Sequence, residues 1–596
     1  MSIIVQKFGG TSVATPAKIL AAAERAVAAK RAGHQVVVVV SARGLKTDEL
    51  IALAKEVSPE PPAREMDMLL ATGEQESVAL VAMAVQRLGE QSISLTGAQI
   101  GIVTDSTHTK ARIKSISTER MRKALEAGQI VIAAGFQGVN DRSDITTLGR
   151  GGSDTTAVAL AAVLKAEVCE IYTDVEGVFT TDPRQIKTAR KMPHISYDEI
   201  LELASMGAGV MHSRSIEFAK KFRVPVLVRP SYSDAAGTLI APETGRETAV
   251  VCGVAVARDE ATVSLRDIPD RPGVMSVIFS RMAERKIPID MIVQNVGRDG
   301  LASVSFTVPQ DELAETLTAA DQAVKQLGAG TVQHGTNLSK ISVVGSGMKS
   351  HSGVAAQMFT DLAQAGVNLE MITTSDIKIS VLVDRNQADT AMRTVHEGFG
   401  LSEPLPEGGE SDPSRVSRSQ IASLPQSELE RYVAERLGSM EDIVVSEVRL
   451  NDTQSRVTLR NLPDTPGVAM QVFAANALAG VIVDIIVQNV AQSGHSNISF
   501  TVNRDDLEQS LDVTKSLLAQ WQNTEISFER DIAVLSVHGV GLRTHTGVGE
   551  KMFNALSEHN INVQMISTSE ICISTVIDIA SGQRGLDCLE AAFGLT

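Results

Sequence analysis

Residues 267–274, Asp-Ile-Pro-Asp-Arg-Pro-Gly-Val, return 194 positions later as Asn-Leu-Pro-Asp-Thr-Pro-Gly-Val at 461–468. The same displacement carries Asp290-Met-Ile-Val-Gln-Asn295 onto Asp484-Ile-Ile-Val-Gln-Asn489, His351-Ser-Gly-Val354 onto His545-Thr-Gly-Val548 and Phe399-Gly-Leu401 onto Phe593-Gly-Leu595. No insertion or deletion interrupts it. Such a register requires a tandem duplication, and a duplicated segment must fold twice into the same unit. A fainter repeat of 80 residues lies inside each copy: Gly273, Phe279, Asp290-Met-Ile and Asn295 map onto Gly353, Phe359, Glu370-Met-Ile and Ser375. Each of these smaller units reads as strand, Gly-Val turn, amphipathic helix, two strands, helix and strand. That order is βαββαβ, a ferredoxin-like unit. Four such units are expected, at 250–340, 341–401 (borrowing a strand from 250–258), 441–533 and 534–596. Between the copies, 402–440 contains Pro404, Pro406, Gly408, Gly409 and Pro413 among charged residues. It reads as an exposed linker with a short helix at 428–437.

The first 245 residues are of another kind. Apolar strands alternate with helical patterns, which predicts a three-layer αβα domain on a mainly parallel sheet. Residues 3–8 form the first strand, and Thr15 and Pro16 can cap and open the helix that ends at Gly33. Residues 36–40 are consecutive valines. A run this uniformly apolar belongs to a strand covered on both faces. Further strands are expected near 93–96, 130–134, 168–173 and 224–229.

Charge narrows the partners. Lys and Arg total 55 against 71 Asp and Glu, a net charge of −16, and no basic run is dense enough to track a phosphate backbone. Nucleic acid and membrane are not expected as partners, and no apolar stretch approaches the ~18 residues that span a bilayer. The N-terminus lacks the pattern of a secretory or transit segment. Cys169, Cys252, Cys572 and Cys588 form no CxxC pair, so buried reduced thiols in a cytoplasmic protein are expected, with no metal site built by the chain.

Three glycine-containing loops in the first domain can carry chemistry. Gly9-Gly10-Thr11-Ser12 follows the first strand and precedes a helix, so its backbone N–H groups can face phosphate oxygens while Lys7 supplies a point charge. The lysine precedes the glycines, unlike the order in a P-loop. Arg150-Gly-Gly-Ser-Asp154 is a second glycine turn opening a helix, with an arginine suited to an anion; an N-cap alone is the structural alternative. Residues 172–179 and Thr181-Asp-Pro-Arg184 form a third polar loop. Glu74 stands in Thr72-Gly-Glu-Gln75, which also matches a capping box, leaving a purely structural helix start as the alternative. In an open α/β sheet the strand carboxyl ends line one crevice, so the loops after Phe8, Val40, Ala134 and Thr173 can share a ligand.

Lys7-Phe-Gly-Gly-Thr-Ser12, Ser41-Ala42, Thr47, Gly73-Glu74, Gly149-Arg-Gly-Gly-Ser-Asp154, Thr173-Asp-Val175 and Thr181-Asp-Pro-Arg184 together resemble the motifs of the aspartate kinases of the amino acid kinase family, in that family's order. The repeated units resemble ACT domains, which bind amino acids. The resemblance covers essentially the whole chain. It implies a monofunctional enzyme moving the ATP γ-phosphoryl group to the β-carboxylate of L-aspartate, the first step of lysine, threonine and methionine biosynthesis. It implies Lys7 and Asp154 as catalytic residues, and an ATP site of Lys7, Phe8, Gly9, Gly10, Thr173, Asp174, Phe179, Asp182 and Arg184. Ser41, Thr47, Glu74, Arg150, Gly151, Gly152, Ser153 and Asp154 would hold aspartate, with Glu74 on the ammonium and Arg150 on a carboxylate. Mg2+ would accompany ATP. Some relatives have a lysine near Gly209 and a tyrosine at Phe179, so the adenine contacts are left open.

The same resemblance implies feedback inhibition by lysine and threonine and assembly as a homodimer. ACT units pair with effectors between them. On that pattern Asp270, Gly273, Val274 and Gln294, with Val354, Asn368, Leu369 and Asp376, line the first effector sites. Asp464, Gly467, Gln488, Val548, Asn562 and Glu570 are their counterparts. A polar Gln-Asn pair twice closing an apolar strand favours ligand contact over a bare strand end. The reading that competes with an enzyme is a non-catalytic amino-acid sensor whose first domain only binds nucleotide.

Overall fold

The computed structural model describes residues 1–208, 210–242, 250–296, 300–351, 353–404, 444–489, 494–540, 542 and 547–595. Gly209, most of the 402–440 segment and the helix expected at 428–437 lie outside these residues.

The first domain is built on an eight-stranded sheet in the order His194–Ser196, Thr238–Ala241, Val226–Pro230, Val168–Thr173, Ile3–Phe8, Gln35–Val40, Ile130–Ala134, Ser92–Leu95. Pairing is parallel throughout except between Val226–Pro230 and Thr238–Ala241. Val36 through Val40 are buried, because helices cover both faces. One of these, Pro16–Arg31, starts as the sequence requires: Thr15 Oγ1 accepts from the Lys18 N–H and Pro16 takes the first turn. A small second sheet is formed by Ile102–Thr104, Ile113–Ile116, Gln137–Val139 and Ile145–Thr147. Helix Gly152–Leu164 is buried along its whole length beneath the sheet.

Among the described residues one helix, Ala63–Arg87, is long and apolar enough to cross a membrane by length and composition, contrary to the expectation that no stretch reaches that length. It packs as a core helix: its inward face carries the buried carboxyl groups Asp67 and Glu74 together with Val78, Val81 and Val85. The four cysteines are buried, and none of them forms a disulfide.

The duplicated half forms a single twelve-stranded sheet. Four βαββαβ units contain that few strands because four long strands each serve two units. Gly253–Pro269 pairs through 253–257 with 340–344 and through 260–269 with 301–309. Val444–Pro463 repeats the arrangement with 534–540 and 495–503. In mid-sheet the second and third units join where Ile372 and Thr373 pair with Gln488 and Val487. The two edge strands, Asp290–Val296 and Met565–Thr568, come back together: the Ile292 N–H donates to Thr568 Oγ1 at 3.3 Å. Its counterpart inside the sheet is Ile486 N–H to Thr374 Oγ1 at 2.8 Å. Met291, Val293, Met371, Ile485, Val487 and Met565 fill the space between these strand pairs. The first unit therefore faces the fourth and the second faces the third.

Candidate active site and effector pockets

The carboxyl ends of the central parallel strands bring the sequence-predicted loops together. Lys7 sits one residue before the end of Ile3–Phe8, and its ammonium lies 2.5 Å from Asp154 Oδ1, both side chains almost wholly buried. Gly9 follows with its N–H toward the Tyr172 carbonyl at 3.4 Å, tying the glycine loop to the end of Val168–Thr173. Gly10 is required by close approach: a Cβ there would stand 2.6 Å from the Ala42 carbonyl oxygen. The Gly44 N–H donates to the Gly10 carbonyl and the Ser41 N–H to that of Phe8, so the loops after the first two strands form one floor. Phe8 enters this floor through its backbone only. Its ring is buried and stacks on Tyr172, with centroids 4.7 Å apart.

Arg150-Gly-Gly-Ser-Asp154 opens the buried helix Gly152–Leu164. Gly151 takes φ +73°, and a side chain there would collide with His212. Ser153 and Asp154, in the first turn, are buried at the site, and Arg150 stands exposed at its rim. N–H groups at a helix start beside a lysine make a place for an anion.

Glu74 overturns the capping-box alternative. It lies in the middle of Ala63–Arg87, where Thr72 Oγ1 donates to the Leu69 carbonyl as an interior helix hydroxyl does. Its Oε1 accepts the Ala42 N–H at 3.0 Å, while Oε2 is buried with no hydrogen-bond partner among the described residues. Burial pushes its carboxyl up to about 7, against the opposing pull of that backbone donor. Asp67, one heptad earlier on the same face, makes the contrast. It accepts from the Thr109 N–H, Thr147 Oγ1 and the His108 ring, so its carboxylate braces the loop before Gly149. Glu74 alone presents an unmatched oxygen, which suits a cationic group of a ligand.

The remaining predicted residues sit further out. Thr47 is half-buried in the first turn of Lys46–Val57, and Ser41 is half-buried beside the floor. Thr173 Oγ1 donates to Asp174 at 3.2 Å, Asp182 holds Arg184 at 2.9 Å, and Phe179 is half-buried opposite Lys191. Sequence reasoning missed three supports. Asp67 was detectable as a second acid one heptad from Glu74. His212 and Arg214 were not, because only the fold sets His212 against Gly151 and sends the Arg214 guanidinium to the Leu148 and Ala111 carbonyls. Burial, ahead of the Arg214 charge, holds the His212 imidazole below its usual range.

The residues expected at effector sites assemble across the two copies. Asp270 accepts from Asn562 Nδ2 at 2.9 Å and Gln294 Nε2 donates to the Val563 carbonyl at 2.7 Å. Asp464 accepts from Asn368 Nδ2 at 3.2 Å and Gln488 Nε2 donates to the Leu369 carbonyl at 2.8 Å. Asp270, Gly273, Val274 and Gln294 thus face the fourth unit, whereas Asn368 and Leu369 face Asp464, Gly467 and Gln488 in the third. The expected grouping of Asp270 with Asn368 is replaced by a crossed one. The Asp464 pocket is a cavity also lined by Phe359, Ala363 and Ser496. Val354 lines a separate cavity with His351 and Asp484, and Val548 is buried in the core of the fourth unit. The Glu570 N–H turns to the first domain, on Glu202. Asp376, its counterpart, stands in the turn between Met371–Ser375 and Lys378–Asp384.

Comparison with known proteins agrees with this layout. Residues 2–230 match the amino acid kinase family, and 341–399 and 535–593 each match an ACT domain. An aspartokinase of Geobacillus stearothermophilus is 50% identical over 404 residues, 68% of this chain and 98% of that protein. The crystal structure of aspartate kinase from Synechocystis is matched over 100% of this chain and 98% of its own, at 38% identity and a TM-score of 0.52. E. coli aspartokinase III in complex with aspartate and ADP is 25% identical, with a TM-score of 0.58 over 66% of this chain and 99% of that one. With half the residues shared over nearly the full length of a relative, and with the Lys7–Asp154 site and the duplicated ACT units in place, the chain belongs to the aspartokinases.

Proposed function

We propose that the chain phosphorylates the β-carboxylate of L-aspartate with ATP, giving 4-phospho-L-aspartate and ADP, and that lysine and threonine inhibit it through the crossed ACT pockets. The observation that carries the catalytic reading is the buried Lys7–Asp154 pair at the start of Gly152–Leu164, together with the unmatched oxygen of Glu74, whose other oxygen is bonded to the Ala42 loop. Aspartate's β-carboxylate is already an anion at neutral pH. It needs no general base; an oxygen lone pair attacks the γ-phosphorus and the β–γ bridging oxygen leaves with ADP. The chain's task is therefore alignment and charge neutralisation. Glu74 Oε2 receives the substrate ammonium, Arg150 its α-carboxylate, and Ser41, Thr47 and Ser153 hold it in line. Lys7 and the Gly9-Gly10 amides steady the γ-phosphoryl oxygens. Asp154 keeps the Lys7 ammonium aimed at them. Thr173, Asp174, Asp182 and Arg184 flank the nucleotide.

Among the described residues no three His, Cys, Asp or Glu converge as a cage for a metal. Mg2+ would be carried by the phosphates and held through one or two carboxylates, for which the Asp154 oxygen not facing Lys7 and the exposed Asp174 are the candidates. Bound there, Mg2+ supplies neutralisation of β- and γ-phosphate charge. Because the ACT units pair within one chain, the proposed effector pockets draw on no second subunit; light scattering tests the homodimer that the family resemblance implies.

Coupled ADP release dependent on L-aspartate tests the catalytic reading. Lys7→Ala should lower kcat by roughly 100-fold or more with a much smaller change in aspartate KM, because the charge acts mainly in the transition state. Near-normal kcat in that variant, or no aspartate-dependent ADP release in the wild type, refutes it.

A further inference from the structure

Glu202, on helix Tyr197–Leu203 of the catalytic domain, is fully buried and touches both copies of the duplicated half. Its Oε2 lies 2.8 Å from Lys378 Nζ in the second ACT unit. Its Oε1 accepts the backbone N–H of Glu570, in the fourth, at 3.0 Å. These contacts come from hairpin turns that are counterparts under the duplication. At their tips Ile377 and Ile571 both enter the apolar core of the catalytic domain. The chemistry of the two grips differs, because the position matching Lys378 is Cys572. One turn away on the same helix, Glu199 Oε1 accepts from the Ser346 N–H and hydroxyl at 3.1 and 3.0 Å, while Oε2 closes the capping box with Ser196.

The helix leads directly toward the chemistry. A π-helical turn, Ala204–Ala208, follows it. His212, packed against Gly151, then caps Ser213–Phe222, and Arg214 grips the Leu148 carbonyl just ahead of the turn that carries Asp154. One short segment therefore has regulatory contacts at one end and the phosphoryl-site turn at the other. A π turn is a segment whose hydrogen bonding can shift register, and such turns gather at functional sites.

We propose that Glu202 is the junction at which the two effector pockets act on the catalytic domain, each copy of the duplicated half holding one oxygen of a single carboxylate. A buried charge that loses one of its two partners is left uncompensated, so the contact has discrete gripped and released states. Effector binding at either pocket moves the hairpin of one copy, and the helix responds only as both grips allow. Such a junction makes inhibition by the two amino acids concerted without contact between them. It rests on the reading of the crossed pockets as lysine and threonine sites.

The test uses the full-length enzyme, a lysine by threonine concentration grid in the coupled assay, and calorimetric titration of each amino acid. Two variants are compared with the wild type: Lys378→Met, and Glu202→Leu with Lys378→Met, which removes the buried Glu202–Lys378 ion pair whole. Both should keep uninhibited kcat within about twofold and still bind lysine and threonine, while the half-inhibitory concentrations rise about tenfold or more and the synergy between effectors disappears. Where Lys378→Met, which leaves the Glu202 carboxylate with only the Glu570 N–H, does not fold, the double variant carries the test. Variants that bind effectors and are inhibited like the wild type overturn the junction alone. A wild-type enzyme that binds neither amino acid overturns the effector reading beneath it, and the titration separates that failure from the first.

Discussion

Glu74 should make aspartate binding depend on pH in a range where exposed carboxylates do not titrate. With its carboxyl pushed up to about 7 by burial, only about one-tenth is ionised at pH 6 and about nine-tenths at pH 8. If the anion must receive the substrate ammonium, the aspartate Kd should be about tenfold weaker at pH 6 than at pH 8, a difference of ~1.4 kcal/mol. Binding near pH 7 should release a proton, and the calorimetric heat should change with the ionisation enthalpy of the buffer. The folded-state pKa is raised above the ordinary value, so the contribution to stability of the ligand-free fold is complete below ~4.5 and is lost as pH rises through ~7, in total roughly 3 kcal/mol. Glu74→Gln keeps the shape and an oxygen for the Ala42 N–H while removing that ionisation. Its Tm at pH 8 should therefore hold or rise, its aspartate affinity should fall, and its binding should lose most of the pH slope. A wild-type Kd flat from pH 6 to 8, or a glutamine variant with wild-type affinity and a lowered Tm, refutes the argument and makes Glu74 structural.

Thr72→Val tests the discarded capping box: removing an interior helix hydroxyl should change unfolding free energy by no more than about 0.5 kcal/mol, whereas loss of a true N-cap costs about 1 kcal/mol, a gap that urea denaturation resolves. The crossed pockets predict matched pairs of variants across the copies. Gln294→Ala and Asn562→Ala should shift the same inhibition curve by about tenfold, and Gln488→Ala and Asn368→Ala should shift the other, all with uninhibited kcat nearly unchanged. Inhibition kinetics that instead group Gln294 with Asn368 would contradict the pairing.

The reach of the sequence is clearest at Glu74. Thr72-Gly-Glu-Gln75 matches a capping box because Thr and Gln three apart recur inside helices as well as at their starts. The real start was present upstream, where Pro62 precedes twenty-five residues without another proline. Lys7, the glycine loops and Asp154 were legible because a parallel sheet sends every strand's carboxyl end to the same edge. Residues at those positions meet whatever the details of the helices between them.

The duplication was equally plain, since a constant displacement of 194 is a property of the chain itself. Which units meet is not. Each βαββαβ unit leaves a strand edge and a helix face to be covered, and duplicated copies with the same strand pattern offer matching edges, so the patterns of the first and second units fit the third and fourth equally well. The tie was broken by the four long strands that each serve two units, which fix the order of the sheet, and by its curvature, which brings the strand at Asp290 back to the strand at Met565. Asp270 thereby meets Asn562 across 292 residues of chain. Glu202 meets Lys378 and Glu570 for the same reason: local sequence determines what each turn can offer, and only the packing of the sheet against the catalytic domain decides which buried charge receives it.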